Sequence, residues 1–222
     1  MTLEELRFGK NCTFVAQYTF HKCTIKYLEI ANAVLDSVAC YLCPYPEVIR
    51  FTGTGTIKRV CFYNGGGSTK KIYLSNLETY LTRGDYSFFL DSNEDGGYLY
   101  LNDELVTDIQ VPSSVVDIVL GCFINMKYLR SVTLPYNVSS IGGDAFTGCS
   151  NLKTILCYNS QAPSSSSNTF GSSATNYTGL NSSATGENIL YVPQGATGYD
   201  TGVWLDPLQN SDKCGFTISY TL

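Results

Sequence analysis

Three groups of residues in this chain have the types and spacing for chemistry. The first is sulfur: nine cysteines and one histidine among 222 residues, with Cys40-Tyr-Leu-Cys43 as a CxxC and His21 two residues before Cys23. Four such donors in one place would bind zinc, and a CxxC on a βαβ frame would exchange disulfides. The second is acidic: Asp91, Asn93, Asp95 and Gly96 follow the opening of a calcium loop. The third is Gly65-Gly66-Gly67 with Lys70, a glycine run beside a lysine like that of a phosphate cradle.

Each group lacks a necessary part. No second CxxC completes a zinc set, no βαβ pattern surrounds Cys40, and an odd count without regular pairs is not a disulfide framework. The calcium loop needs a closing bidentate glutamate where Asn102 stands. In the glycine run Ser68 and Thr69 precede the lysine, the reverse of a phosphate loop, and no helical pattern follows. The expectation is therefore no metal and no cofactor: buried thiols acting as small hydrophobes, an acidic hairpin turn over 91–97 and a hairpin or inter-repeat turn over 64–67. Catalysis finds no better support. His21 stands beside Phe20 with no Gly-x-Ser-x-Gly elbow and no His-Glu-x-x-His helix in the chain. Glu94-Asp95 and Asp103-Glu104 are neighbours, so on extended chain they point to opposite faces and cannot flank a glycosidic bond. No catalytic residue is assigned, and the chain reads as a non-enzyme.

The elements that position these residues are set by a repeat. Val111-Pro112, Val115, Ile118, Phe123, Met126, Leu129 and Val132 align, 23 residues on, with Leu134-Pro135, Val138, Ile141, Phe146, Cys149, Leu152 and Ile155. A period of this kind marks a solenoid, in which one unit cannot bury its apolar face and must stack on the next. Val132 and Leu134 share one side of a short strand, and the proline after them ends it because it has no N–H for the ladder. Stacking places like residues about 4.8 Å apart, so each apolar column becomes continuous core.

The pattern Ile-x-Val-Pro-x-x-Val-x-x-Ile-x-x-x-x-Phe-x-x-x-x-x-Leu-x-x-Val from Ile109 to Val132 resembles the BspA-type leucine-rich repeat of bacterial surface proteins. Tyr98–Ile109 resembles that family's lead-in to a repeat, and Leu190–Tyr199 its C-terminal closure. The resemblance implies a recognition or adhesion surface, at the cell surface or outside the cell, rather than a catalyst. The expected fold is mainly β: a leucine-rich-repeat solenoid of stacked short parallel strands with turns and short helical segments, interrupted by a hairpin insertion and closed by a C-terminal cap.

In chain order, residues 1–74 read as degenerate repeats. Leu6, Phe8, Cys12, Val15, Phe20 and Cys23 fall in the apolar columns, and strands are expected at 48–51, 57–63 and 72–74. Residues 75–108 read as an insertion: a short helix over 76–81 capped by Ser75, then strands 86–90 and 98–101 joined by the acidic turn. Residues 109–160 are the regular 23-residue repeats. Residues 161–222 read as a Ser/Thr-rich loop with Phe170 as its anchor, followed by a strand at 190–192, Tyr199 and Trp204 over the last core layer, and a final strand at 216–220.

Composition narrows the partners. A net charge of −5 without a basic stripe argues against nucleic-acid binding. No apolar run approaches the roughly 20 residues of a membrane span. The start, Met1 to Glu5, has neither a basic flank nor an apolar stretch, so no secretion signal is read there. No polar cap precedes Leu3, which makes the open first repeat a candidate surface for self-association. The partner expected is a protein or a glycan, met by aromatic area with a polar rim: Tyr86, Phe88, Asp91, Glu94, Asp95, Tyr98 and Tyr100. Two settings fit: a bacterial surface adhesin, or a structural or host-attachment component of a larger assembly such as a phage particle.

Overall fold

The structure, a computed structural model, describes residues 1–58, 60–67, 69–82, 97–166, 169–170, 188–200, 204 and 217–222. The chain forms two compact units, Met1–Leu105 and Val106–Leu222.

In the first unit β1 (Thr2–Phe8), β3 (Thr24–Ile30), β5 (Val48–Phe51), β7 (Lys71–Leu74) and β8 (Tyr98–Leu101) pair in parallel in chain order, and β9 (Glu104–Leu105) turns back antiparallel on β8. A second sheet of two-residue strands, β2 (Phe14–Val15), β4 (Val34–Leu35) and β6 (Thr56–Ile57), runs beside it. The register stacks Leu6, Leu28, Ile49, Ile72 and Leu99 in one column, and the last four are almost wholly buried. Each contributes about 1.5–3 kcal/mol by leaving water, so the column alone fixes the rungs. Slipping one strand by a single residue would turn its apolar set outward.

The second unit repeats the design. β10 (Asp108–Gln110), β12 (Ser131–Leu134), β14 (Thr154–Cys157), β16 (Ile189–Val192) and β17 (Thr217–Tyr220) are parallel, with β11 (Asp117–Ile118), β13 (Ser140–Ile141) and β15 (Ser164–Ser165) as the second sheet. Pro135 follows β12 directly, as its missing N–H requires. Phe123, Phe146 and Phe170 stack at 5.2 and 5.5 Å, and Trp204 and Tyr199 close the stack edge-on. Asparagines tie the rungs: Asn137 Nδ2 donates to the carbonyls of Ser113 and Val115, and Asn159 Nδ2 to that of Val138.

Five corners after strands of the second sheets use the left-handed region twice, four residues apart. The pairs are Tyr18 and Lys22, Val38 and Leu42, and Val60 and Asn64 in the first unit, and Gly121 and Asn125, and Asp144 and Gly148, in the second. Backbone bonds such as Val38 N–H to Val60 O (3.1 Å) stack one corner on the next.

Three local expectations are corrected. The strand expected over 57–63 stops at Ile57, because the left-handed turn at Val60 bends the chain into a corner. Helix α1 (Leu77–Thr82) begins one residue later than expected and is capped by Asn76, whose Oδ1 accepts from Thr79 N–H, rather than by Ser75. The residues it buries are Tyr80 and Leu81, while Leu77 is only half-buried. Tyr98–Leu101 is a rung of the first sheet in register with β7, and its antiparallel neighbour is β9. The strand expected over 86–90 and the acidic turn of 91–96 lie outside the described residues.

Candidate binding surface

Strand alternation puts two columns of side chains on the outward face of the first unit's large sheet. One runs Glu5, Tyr27, Val48, Lys71, Tyr98, and the other Arg7, Glu29, Arg50, Tyr73, Tyr100. The face is self-satisfied. Arg7 lies over the Tyr27 ring at 4.7 Å and donates to Glu29 Oε2 at 2.6 Å, and the Tyr27 hydroxyl donates to the same oxygen at 2.9 Å. Arg50 lies over the Tyr73 ring at 4.2 Å and pairs with Asp103 at 2.7 Å, and Tyr73 stacks on Tyr100 with centroids 4.4 Å apart.

The protonation states follow from these contacts. Partial burial pushes the Tyr27 phenol up, and the hydrogen bond to Glu29 adds to it. Asp103 raises the Arg50 guanidinium further above neutrality. At neutral pH Tyr27 is therefore a neutral phenol and Arg50 a cation. Stacked and clamped rings have already lost their rotamer freedom, so a partner bound here would not have to order them.

Of the residues expected to make contact, Tyr98 and Tyr100 lie on this face, half-buried, at the end of the two columns. Tyr86, Phe88, Asp91, Glu94 and Asp95 lie outside the described residues, as does the calcium-like loop. Arg7, Tyr27, Glu29, Arg50 and Tyr73 were not singled out from the sequence. The signal that finds them is the register, since they occupy outward positions of successive rungs.

Seven cysteines, Cys23, Cys40, Cys43, Cys61, Cys122, Cys149 and Cys157, take the place of core side chains. Cys23, Cys40, Cys43 and Cys61 are buried. Cys23 N–H donates to Cys43 Sγ at 3.2 Å, and Cys43 Sγ–H donates to Phe20 O. Burial pushes the Cys43 thiol up, and contact with Cys61 followed by burial raises Cys40. Such thiols are poor nucleophiles. Among the described residues no group of three or more His, Cys, Asp and Glu is placed to hold a metal ion. Gly66 and Gly67 make the turn before β7 in the left-handed region, and a Cβ on Gly65 would run into the Cys43 carbonyl. A depression lined by Phe51, Ile57, Leu74, Thr79 and Tyr80 has room for about one water, too little for a substrate.

Stacked parallel rungs with a patterned outward face match a known repeat: six copies of the BspA type leucine rich repeat region cover residues 1–93 and 96–196. The chain belongs to the BspA-type leucine-rich repeat family. No curated protein and no solved structure matches it. Solenoids of this family are typically binding scaffolds, and the family is generally surface-associated. In this BspA-type chain no helix among the described residues is long and apolar enough to cross a membrane.

Proposed function

We propose that the chain is a non-catalytic binding or adhesion module that presents its repeat strands to a protein or glycan partner at a bacterial cell surface. The observation that supports this reading is the outward strip from Arg7 to Tyr100, where aromatic rings are held by cation–π contacts and stacking between charged neighbours. Rigid tyrosine and arginine set among charged neighbours is the composition of binding hot spots. Tyr98 and Tyr100 form one end of the contact, while Tyr86, Phe88, Asp91, Glu94 and Asp95, named from the sequence alone, lie outside the described residues.

The test is adhesion of beads coated with the chain to monolayers of host cells. Wild-type beads are expected to attach, and a Tyr98→Ser/Tyr100→Ser variant to attach several-fold less while keeping its circular dichroism spectrum. Equal attachment by both would remove the strip from the contact. No attachment above that of albumin-coated beads would overturn the adhesion reading.

A further inference from the structure

The corner side of the first unit carries a second aromatic array. Tyr18, Tyr41 and Tyr63 come from three successive corners. Tyr18 meets Tyr41 edge-on at 5.5 Å, Tyr41 lies nearly parallel to Tyr63 at 6.0 Å, and His21 sits 5.4 Å from Tyr41 and 6.4 Å from Tyr18. The outer rings are open to solvent: Tyr18 is 56% and Tyr63 49% exposed, His21 is exposed and Tyr41 between them is half-buried, with Val60 on the Tyr63 corner at 45%. A cluster of this kind on a water-facing corner has no packing role that requires four rings.

The charge here is the reverse of the chain's. The whole sequence carries −5, yet residues 16–24, 37–46 and 60–67, which form these corners, contain no Asp or Glu. They contribute Lys22, which is exposed, donates its backbone N–H to Tyr41 O at 2.9 Å, and makes no ion pair among the described residues. Of the two carboxylates that flank these segments in sequence, Asp36 is paired with Lys58 at 2.8 Å and Glu47 is exposed. Rings brought together from successive corners, with an exposed lysine and an imidazole on the same corner as Tyr18, suit a chain molecule that alternates apolar ring faces with carboxylates.

We propose that the Tyr18, His21, Lys22, Tyr41 and Tyr63 corner array binds an acidic polysaccharide: sugar rings pack on the tyrosines and their carboxylates meet Lys22. C–H faces of pyranose rings against aromatic side chains contribute by burial, and Lys22 selects uronates over neutral sugars. The array lies apart from the sheet face, so this inference stands whether or not that face makes the adhesion contact.

The test uses the full chain against oligogalacturonate immobilised on an interferometry sensor, with dextran as the neutral polymer and poly-L-glutamate as the sugar-free polyanion. The chain is expected to bind oligogalacturonate, more weakly as salt is added, and neither of the others. Lys22→Gln and Tyr63→Ala, both at exposed positions, are each expected to weaken binding about five-fold or more, and Tyr98→Ser/Tyr100→Ser to leave it unchanged. Equal binding to dextran would overturn the role of Lys22. Equal binding to poly-L-glutamate would mean that charge alone is read, as by an acidic protein partner, and would overturn the polysaccharide. Absence of binding, or unaltered binding by both corner variants, would overturn the site.

Discussion

Val60 sits at φ 56° and is 45% exposed, so a β-branched residue holds the left-handed region at a position that buries only about half of it. That placement costs an L-residue roughly 1–2 kcal/mol, the upper end applying to a branched Cβ. Replacing it with Asn relieves most of this, because a short polar side chain tolerates the region. The change gives up about half the value of burying a valine, roughly 0.7 kcal/mol. The balance is a gain of about 0.5–1 kcal/mol for Val60→Asn. Val60→Gly relieves the strain fully but adds roughly 0.5–1 kcal/mol of unfolded-state entropy, which leaves it near wild type. The backbone bonds that the Val60 carbonyl accepts from Val38 and Tyr63 do not involve the side chain and remain in both variants. Urea unfolding followed by far-ultraviolet circular dichroism reads the order: a raised midpoint at unchanged slope for Val60→Asn, and little movement for Val60→Gly. A Val60→Asn midpoint at or below wild type would refute the strain argument.

Other perturbations test other parts of the packing. Phe146→Ala removes the middle ring of the Phe123–Phe146–Phe170 stack, all fully or nearly buried, and should cost about 3–5 kcal/mol in the same urea assay. A Cβ on Gly142 would run into the Leu120 backbone, so Gly142→Ala should lower stability by about 1–3 kcal/mol, in contrast to Gly9→Ala, where the space is open. Hydrogen bonds from Ser131 and Thr107, then Arg130, hold the Asp108 carboxyl below its usual range. A depressed carboxylate adds stability above its unfolded pKa near 4 and loses it as pH falls through the folded value. The urea midpoints of wild type and Asp108→Asn should therefore differ at neutral pH, by less than about 1 kcal/mol because solvent screens the pair. They should converge in acid, and a gap that widened there would contradict the assignment.

Much of the fold was legible because columns repeat. Ile109–Ile155 announced its rungs through apolar spacing and prolines, and Phe170, Tyr199 and Trp204 take the core positions expected of them. What escaped was local. At Val38, Leu42 and Val60 the left-handed residue is neither Gly nor Asn, and tertiary stacking there overrides residue preference. The 57–63 segment is apolar enough to pass for a strand, yet it turns. The outward ladder of the first unit was hidden for a different reason: Arg7, Tyr27, Glu29, Arg50 and Tyr73 are 21 to 23 residues apart or two apart within a rung. Nothing in a linear reading joins them until the register of the degenerate repeats is known.

The rung offsets have a mechanical consequence. Asp108 pairs with Ser131 and Ser131 with Thr154, so each rung there stores 23 residues between equivalent points. Pulled from one end, such a stack gives way by peeling, one rung at a time, and each release lengthens the tether by about 80 Å at the reach of an extended chain. Thr154 pairs next with Ile189, so that rung holds 35 residues and lengthens the tether by about half as much again. Under load the second unit would behave as a series of small fuses with one oversized step. It would dissipate work over distance and keep the remaining rungs intact.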